Sequence, residues 1–306
     1  MNASFRVPAV HDLRLDGGRH LRVRRWDGDG RPLVLLHGLF DDSEGWVQVA
    51  TDTDRPCLAF DLPGFGGSDL PTRPRISAYA EAVCAGLDQL DLDDCALVGH
   101  SLGGAVAAAV AEKAPATVQS LALLAPAGFG PIGIADLFAL PGVRQVAELS
   151  LPLAMVNPLT VTAAYATFVA HHRLPSRDLM DRVRRRAFRS GPGVSSAVQA
   201  IAAAGRSPRG FHRRGIGFHG PVAALWGEHD ALVPPAHAAA LARALPQAHV
   251  EVWAGMGHHP QRERPTQLAR FIEEHAVQGT ERSDAAAPHA GAGRRRAEPG
   301  HPSKAA

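Results

Sequence analysis

Short apolar runs recur along the chain at Leu33–Leu36, Cys57–Phe60 and residues 96–98, 121–124, 223–226 and 250–252. Most show no polar/apolar alternation, which predicts strands covered on both faces, as in a parallel sheet. Helical periodicities fill the gaps. One spans 77–90, with Ser77 as a capping residue and Glu81 four positions on; a second, 102–114, stops before Pro115. A third, 235–245, stops before Pro246, and a fourth covers 266–275. Breaks at proline and starts at hydroxyl residues are what helix ends require. Two extended runs, 12–15 and 20–25, open the chain and are joined by Asp16-Gly17-Gly18, a good hairpin turn. Strands alternating with helices predict an α/β sheet.

The alternation breaks between residues 127 and 219, where prolines and glycines interrupt the pattern and no buried strand is evident. This stretch reads as several helices inserted between two sheet strands. Residues 137–156 are apolar with scattered charges, whereas 179–188 carry Arg182, Arg184, Arg185 and Arg186, a solvated helix face. Residues 279–306 are rich in Ala, Gly, Pro, Ser and Arg and hold no aliphatic core, so they cannot offset the entropy of ordering. A disordered tail is expected there, with Arg294-Arg295-Arg296 serving solubility. The organisation predicted is a core in two parts, 1–126 and 220–278, a helical segment 127–219, and a tail 279–306.

Composition narrows the function without choosing it. The 306 residues suffice for a sizeable core, and 45% apolar with 20% charged residues is ordinary for a globular protein. A formal charge of +2 and the lack of a basic stripe in the folded part argue against a nucleic-acid partner. The first eight residues lack the apolar centre of a signal peptide, and no apolar stretch is long enough to span a bilayer. A cytoplasmic protein with no membrane partner is therefore expected. Three cysteines, Cys57, Cys84 and Cys95, form no metal-ligand pattern, and Cys57 and Cys95 read as small buried hydrophobes.

The chemistry is concentrated in Gly99-His100-Ser101-Leu102-Gly103, set between an apolar run and an alanine-rich helix. A strand–turn–helix serine flanked by glycines is the nucleophile-elbow pattern, so Ser101 is the candidate nucleophile. A serine hydroxyl needs a neighbouring base. Among sixteen histidines, His258 stands out, on the loop after the last predicted strand; adjacent His259 is a rival, its side chain expected to point away. The base needs a carboxylate to orient it. Asp230 fits, at the end of the preceding strand, with Glu228 as the alternative. An oxyanion hole needs two backbone amides. We assign them to Leu102, at the start of the helix, and Leu39, in the His37-Gly38-Leu39-Phe40 loop, with Phe40 as second choice. The glycines of Asp61-Leu62-Pro63-Gly64-Phe65-Gly66-Gly67-Ser68 serve turn geometry, since no phosphate-binding Lys-Ser/Thr pair follows.

Taken together, His37-Gly38, the Asp61–Ser68 loop, Gly99–Gly104, Gly227–Asp230 and Gly257–Pro260 resemble the α/β-hydrolase superfamily, in the family's order. The resemblance implies an eight-stranded, mostly parallel sheet flanked by helices, with a helical cap after the sixth strand. It implies a Ser101–Asp230–His258 triad and leaves His37 and His100 as structural residues. Gln261, Glu263 and Pro265 also fit the family's loop after the histidine. Relatives that use an aspartate nucleophile, the haloalkane dehalogenases and epoxide hydrolases, are excluded by Ser101. The expected function is hydrolysis of a small, largely apolar carboxylic ester through an acyl-enzyme. The alternatives are a carbon–carbon bond hydrolase of the ring-cleavage-product type, an acyltransferase or a perhydrolase. The core also resembles the transferase component of acetoin dehydrogenase, without a lipoyl-bearing domain ahead of it. A ligand-binding receptor on the same fold is the non-enzyme alternative. No cofactor and no metal are expected, since the adjacent pairs His171-His172 and His258-His259 lack ligand spacing.

Overall fold

The computed structural model describes residues 6–169, 174–207 and 210–277. The tail and the His171-His172 pair lie outside them. Eight strands form one sheet: β1 (Ala9–Arg14), β2 (His20–Trp26), β3 (Leu33–Leu36), β4 (Cys57–Phe60), β5 (Cys95–His100), β6 (Val118–Leu124), β7 (Val222–Gly227) and β8 (His249–Trp253). Their order is β1-β2-β4-β3-β5-β6-β7-β8. The β1–β2 and β2–β4 pairs are antiparallel and all later pairs parallel. Central strands β3, β4, β5 and β7 are buried at every position, which is why their sequences read as unbroken apolar runs.

Helices cover both faces. On one side lie α2 (Ile76–Gln89), α3 (Leu102–Lys113) and α9 (His237–Ala244), packed through Tyr79, Val83, Val106, Val110 and Leu241. On the other lie α1 (Val47–Thr51) and α10 (Pro265–Ile272), through Val49, Leu268 and Ile272, with Trp26 and Trp46 filling the layer. One local expectation fails. Helix α2 begins at Ile76 with Arg75 before it, and no side chain caps it, so Ser77 lies inside the first turn. The apolar face that starts at Ile76 sets the boundary, ahead of any capping preference.

Between β6 and β7 the chain leaves the sheet edge and builds a helical insertion. It comprises α4 (Gly133–Phe138), α5 (Val143–Val156), α6 (Pro158–Ala164), the long α7 (Arg177–Arg206) and the short α8 (Phe211–Arg214). Helix α7 packs along α5 and α4, and Tyr79 of α2 donates to Ser196 Oγ at 3.2 Å. The tightest seam is between glycines. A Cβ on Gly193 of α7 would overlap the Gly64 carbonyl, so the helix rests directly on the backbone of the loop after β4. Alanine in a helix is worth ~1 kcal/mol over glycine. Here the overlap dominates: Gly193→Ala should lower the unfolding free energy by about 1–3 kcal/mol, measured by urea denaturation.

Candidate active site

The candidate side chains stand at the carboxyl edge of the parallel strands, where an open α/β sheet offers a crevice. Ser101 follows β5 and opens α3 with φ 54° and ψ −114°. This strained conformation is held from four sides. The Ser101 N–H donates to the Leu124 carbonyl at 2.9 Å, and the Ser101 carbonyl accepts from Gly104, Ala105 and Ala127 at 3.0, 3.2 and 3.0 Å. The flanking glycines are required by space. A Cβ on Gly99 would strike the Gly103 backbone, and one on Gly103 would strike the Leu36 carbonyl. The turn thus lets strand, helix and neighbouring strand close to backbone contact around Ser101, which is itself buried.

Asp230 and His258 meet in the protein interior. His258 Nδ1 lies 2.6 Å from Asp230 Oδ2, with both side chains at most 3% exposed. The second oxygen of Asp230 accepts from the Leu232 and Val233 amides at 2.9 and 2.8 Å. A carboxylate so fixed orients the imidazole and leaves Nε2 for other work. Glu228, the alternative acid, is half-exposed and accepts instead from the Gly255 amide at 2.9 Å. It ties two loops together and does not reach the histidine loop's ring.

The loop after β3 abuts the elbow. A Cβ on Gly38 would lie 3.1 Å from the Ser101 Cβ, so Leu39 and Phe40 follow within a short step of the serine. Leu102 is the first residue of α3, where an N–H has no carbonyl one turn back to receive it. Phe40 has φ 61°, an uncommon backbone for an aromatic residue, and it is half-exposed over the cavity. His37 is consumed in holding these loops. Its Nδ1 donates to the Gly38 carbonyl at 2.7 Å and its Nε2 accepts from the Leu62 amide at 2.9 Å. Asp61 in turn accepts from the Ser43 and Gly67 amides, both at 2.8 Å.

Three histidines cluster beneath the site, an arrangement not anticipated from spacing. His259 does not point away from His258: their rings lie 5.2 Å apart edge to face, and both lie within 4.7 Å of His100. His100 Nε2 donates to the His258 carbonyl at 2.8 Å. Gln261 donates from one amide nitrogen to Nδ1 of His100 at 3.1 Å and of His259 at 3.3 Å. The three histidines bring potential ligand atoms within 4.8 Å of one another, but His100 has both nitrogens in hydrogen bonds, and Asp230 holds His258 Nδ1. Glu263 braces the same loop from behind, accepting from the Gly257 amide at 3.1 Å. Gln261 and Glu263 were visible in the sequence; the contact of Gln261 with His100, 161 residues away, was not.

Above His258 and His259 lies a cavity of about 260 Å³, walled mainly by apolar side chains including Leu39, Phe40, Met155, Val161 and Phe168. Its charged lining residues, Asp41 and Arg262, pair with each other. The His258 and His259 amides both donate to the Val169 carbonyl, at 3.1 and 3.2 Å, so the insertion is bonded to the loop that carries His258.

The sequence matches the alpha/beta hydrolase fold family over residues 31–265. The chain belongs to that family. Its relatives within it include the dihydrolipoyllysine-residue acetyltransferase component of the acetoin cleaving system of Pseudomonas putida. The identity is 34% over 270 residues, 85% of this chain and 68% of that protein. A 2-hydroxy-6-oxononadienedioate/2-hydroxy-6-oxononatrienedioate hydrolase of Paraburkholderia phymatum is 28% identical over 84% of this chain and 92% of its own. The structure of a thermophilic esterase from Thermogutta terrifontis superposes with a TM-score of 0.69 and 24% identity, covering 87% of this chain and 97% of that one. The α/β-hydrolase fold thus carries hydrolases and an acyltransferase among this chain's relatives.

The buried histidines make a prediction about stability. Burial first, then the neighbouring His258, holds the His100 imidazole well below its usual range; burial first, then the neighbouring His100, does the same to His259. Each stays neutral in the folded protein and takes up a proton more readily once unfolded. Their contribution is therefore fully present above about pH 6.5 and is lost as the pH falls below it, by up to about 1.4 kcal/mol per pH unit for each residue. Unfolding free energy measured from pH 7.5 to 5.5 should fall accordingly, and His259→Gln should remove about half of that slope.

Proposed function

We propose that the protein is a serine hydrolase that cleaves a small, largely apolar carboxylic ester through an acyl-enzyme. The observation that carries this reading is the buried 2.6 Å Asp230–His258 contact at the strand edge that also presents Ser101 in a strained elbow. In this scheme His258 Nε2 takes the Ser101 hydroxyl proton as Oγ attacks the substrate carbonyl. The amides of Leu39 and Leu102 receive the oxyanion, with Phe40 as the alternative donor on the first loop. His258 then gives its proton to the leaving alcohol, and in the second half activates a water to release the acid. Asp230 holds the imidazole in the tautomer that keeps Nε2 free to accept.

The cavity supports an apolar acyl or alcohol group. Carbon–carbon cleavage of a dienedioate, the reaction named for the Paraburkholderia relative, would ask the site to hold a dicarboxylate. Among the described lining residues the one guanidinium, Arg262, is already matched to Asp41, so an uncharged ester suits the cavity better. Transfer of the acyl group to an acceptor other than water uses the same triad, and the acetoin-system relative makes it the second reading.

Two substitutions test the scheme. Ser101→Ala should remain folded by circular dichroism yet lose ester turnover and covalent labelling by a fluorophosphonate. Asp230→Asn should lower kcat by about 10³–10⁴-fold. Full turnover in Ser101→Ala would overturn the assignment. A panel of acyl esters of increasing length, with a ring-cleavage dienoate included, should show preference for the uncharged esters.

A further inference from the structure

The insertion presents an apolar face to solvent. Among the described residues, ten of the fifteen large hydrophobic side chains that are exposed fall between Ile134 and Leu174. Three of them, Val146, Leu149 and Leu153, recur at helical spacing along one side of α5, and Leu149 is 79% exposed. Leu159 on α6 is 80% exposed, and Leu137 and Leu140 extend the face around α4. The opposite sides of α5 and α6 do different work, since Ala154, Met155 and Val161 wall the catalytic cavity. A contiguous apolar surface of this kind marks an interaction site.

Charge identifies the partner. Residues 127–219 contain twelve arginines and four carboxylates, a net +8 within a chain of net +2, so the remainder carries −6. Exposed Arg177, Arg184 and Arg185 lie on the first half of α7, the helix packed against α5. Two copies meeting through these faces would oppose like charges. Outside the insertion the exposed large hydrophobics are scattered as Val7, Val10, Phe40, Leu70 and Val252, which offers a second copy no matching apolar face. An apolar stripe beside arginines instead matches the interface of an anionic bilayer, where leucines enter the acyl boundary and guanidiniums meet phosphates.

We propose that the outer face of α4–α6, with the arginines of α7, is a peripheral docking surface for anionic lipid membranes. This departs from the expectation that no membrane takes part. It is a contact in the interface plane: no single helix among the described residues is long and apolar enough to cross a bilayer. The cavity lies directly under the same helices, so docking sets the site against a reservoir of apolar acyl compounds. The docking itself does not rest on the proposed reaction.

The test is co-sedimentation of the full chain with vesicles of phosphatidylcholine, alone or with about a third phosphatidylglycerol. The wild type should sediment with the anionic vesicles and much less with the neutral ones, and binding should weaken as salt is raised. Leu149→Asp/Leu153→Asp should weaken anionic-vesicle binding at least tenfold, and Arg184→Glu/Arg185→Glu should abolish the preference for anionic lipid. Both variants should keep the wild-type circular dichroism and turnover of a soluble short-chain ester. Ser101→Ala should bind vesicles as the wild type does, which separates failure of docking from failure of the proposed catalysis. Three results would each overturn the proposal: no binding to anionic vesicles, binding unaffected by both double variants, or a concentration-dependent dimer by light scattering that the leucine variant dissolves.

Discussion

Everything at the site depends on one residue held where its backbone does not wish to be. Ser101 takes a positive φ because β5 must turn into α3 within a single step, and backbone strain of this kind costs about 1–3 kcal/mol. The surrounding structure over-determines it through four backbone hydrogen bonds and two glycines whose missing side chains let three backbones touch. The same turn starts α3 at Leu102, the residue after the serine. In the proposed mechanism, the nucleophile and one oxyanion donor therefore come from a single steric requirement.

Around that turn the protein keeps charge under close control. His100 and His259 stay neutral through burial, and the Gln261 amide bridges their rings. Asp230 is shared between an imidazole and two backbone amides, and Asp41 is matched to Arg262. The thiols of Cys57 and Cys95, pushed up to about 12 by burial, are inert side chains of the sheet. An apolar cavity can then sit directly over polar machinery without stray ions in its walls.

Much of this was legible in the sequence, for physical reasons that differ between elements. Strands β3, β4 and β5 announce themselves because burial on both faces leaves no polar position. Ser101, Asp230 and His258 fall at strand ends once those strands are placed, because parallel strands share one carboxyl edge. The start of α2 misled, since Ser77 has the chemistry of a cap but the apolar face already begins at Ile76. The His100–Gln261–His259 contact, the Arg262–Asp41 pair and the Gly193–Gly64 seam join positions more than a hundred residues apart, and nothing local in the chain records such meetings. The exposure of Leu149 and Leu159 is equally non-local. Their apolar character reads as core until the packing shows which side faces water.

The insertion begins and ends between strands that are hydrogen-bonded neighbours, β6 and β7, with Leu121 paired to Val222. The sheet therefore needs nothing from the intervening helices to complete its ladder, and closing a longer or shorter excursion costs little, since loop entropy grows only with the logarithm of length. The helices that roof the cavity and the strand ends that carry Ser101, Asp230 and His258 thus belong to separate stretches of chain, joined by the Val169 carbonyl and the Gly193–Gly64 seam.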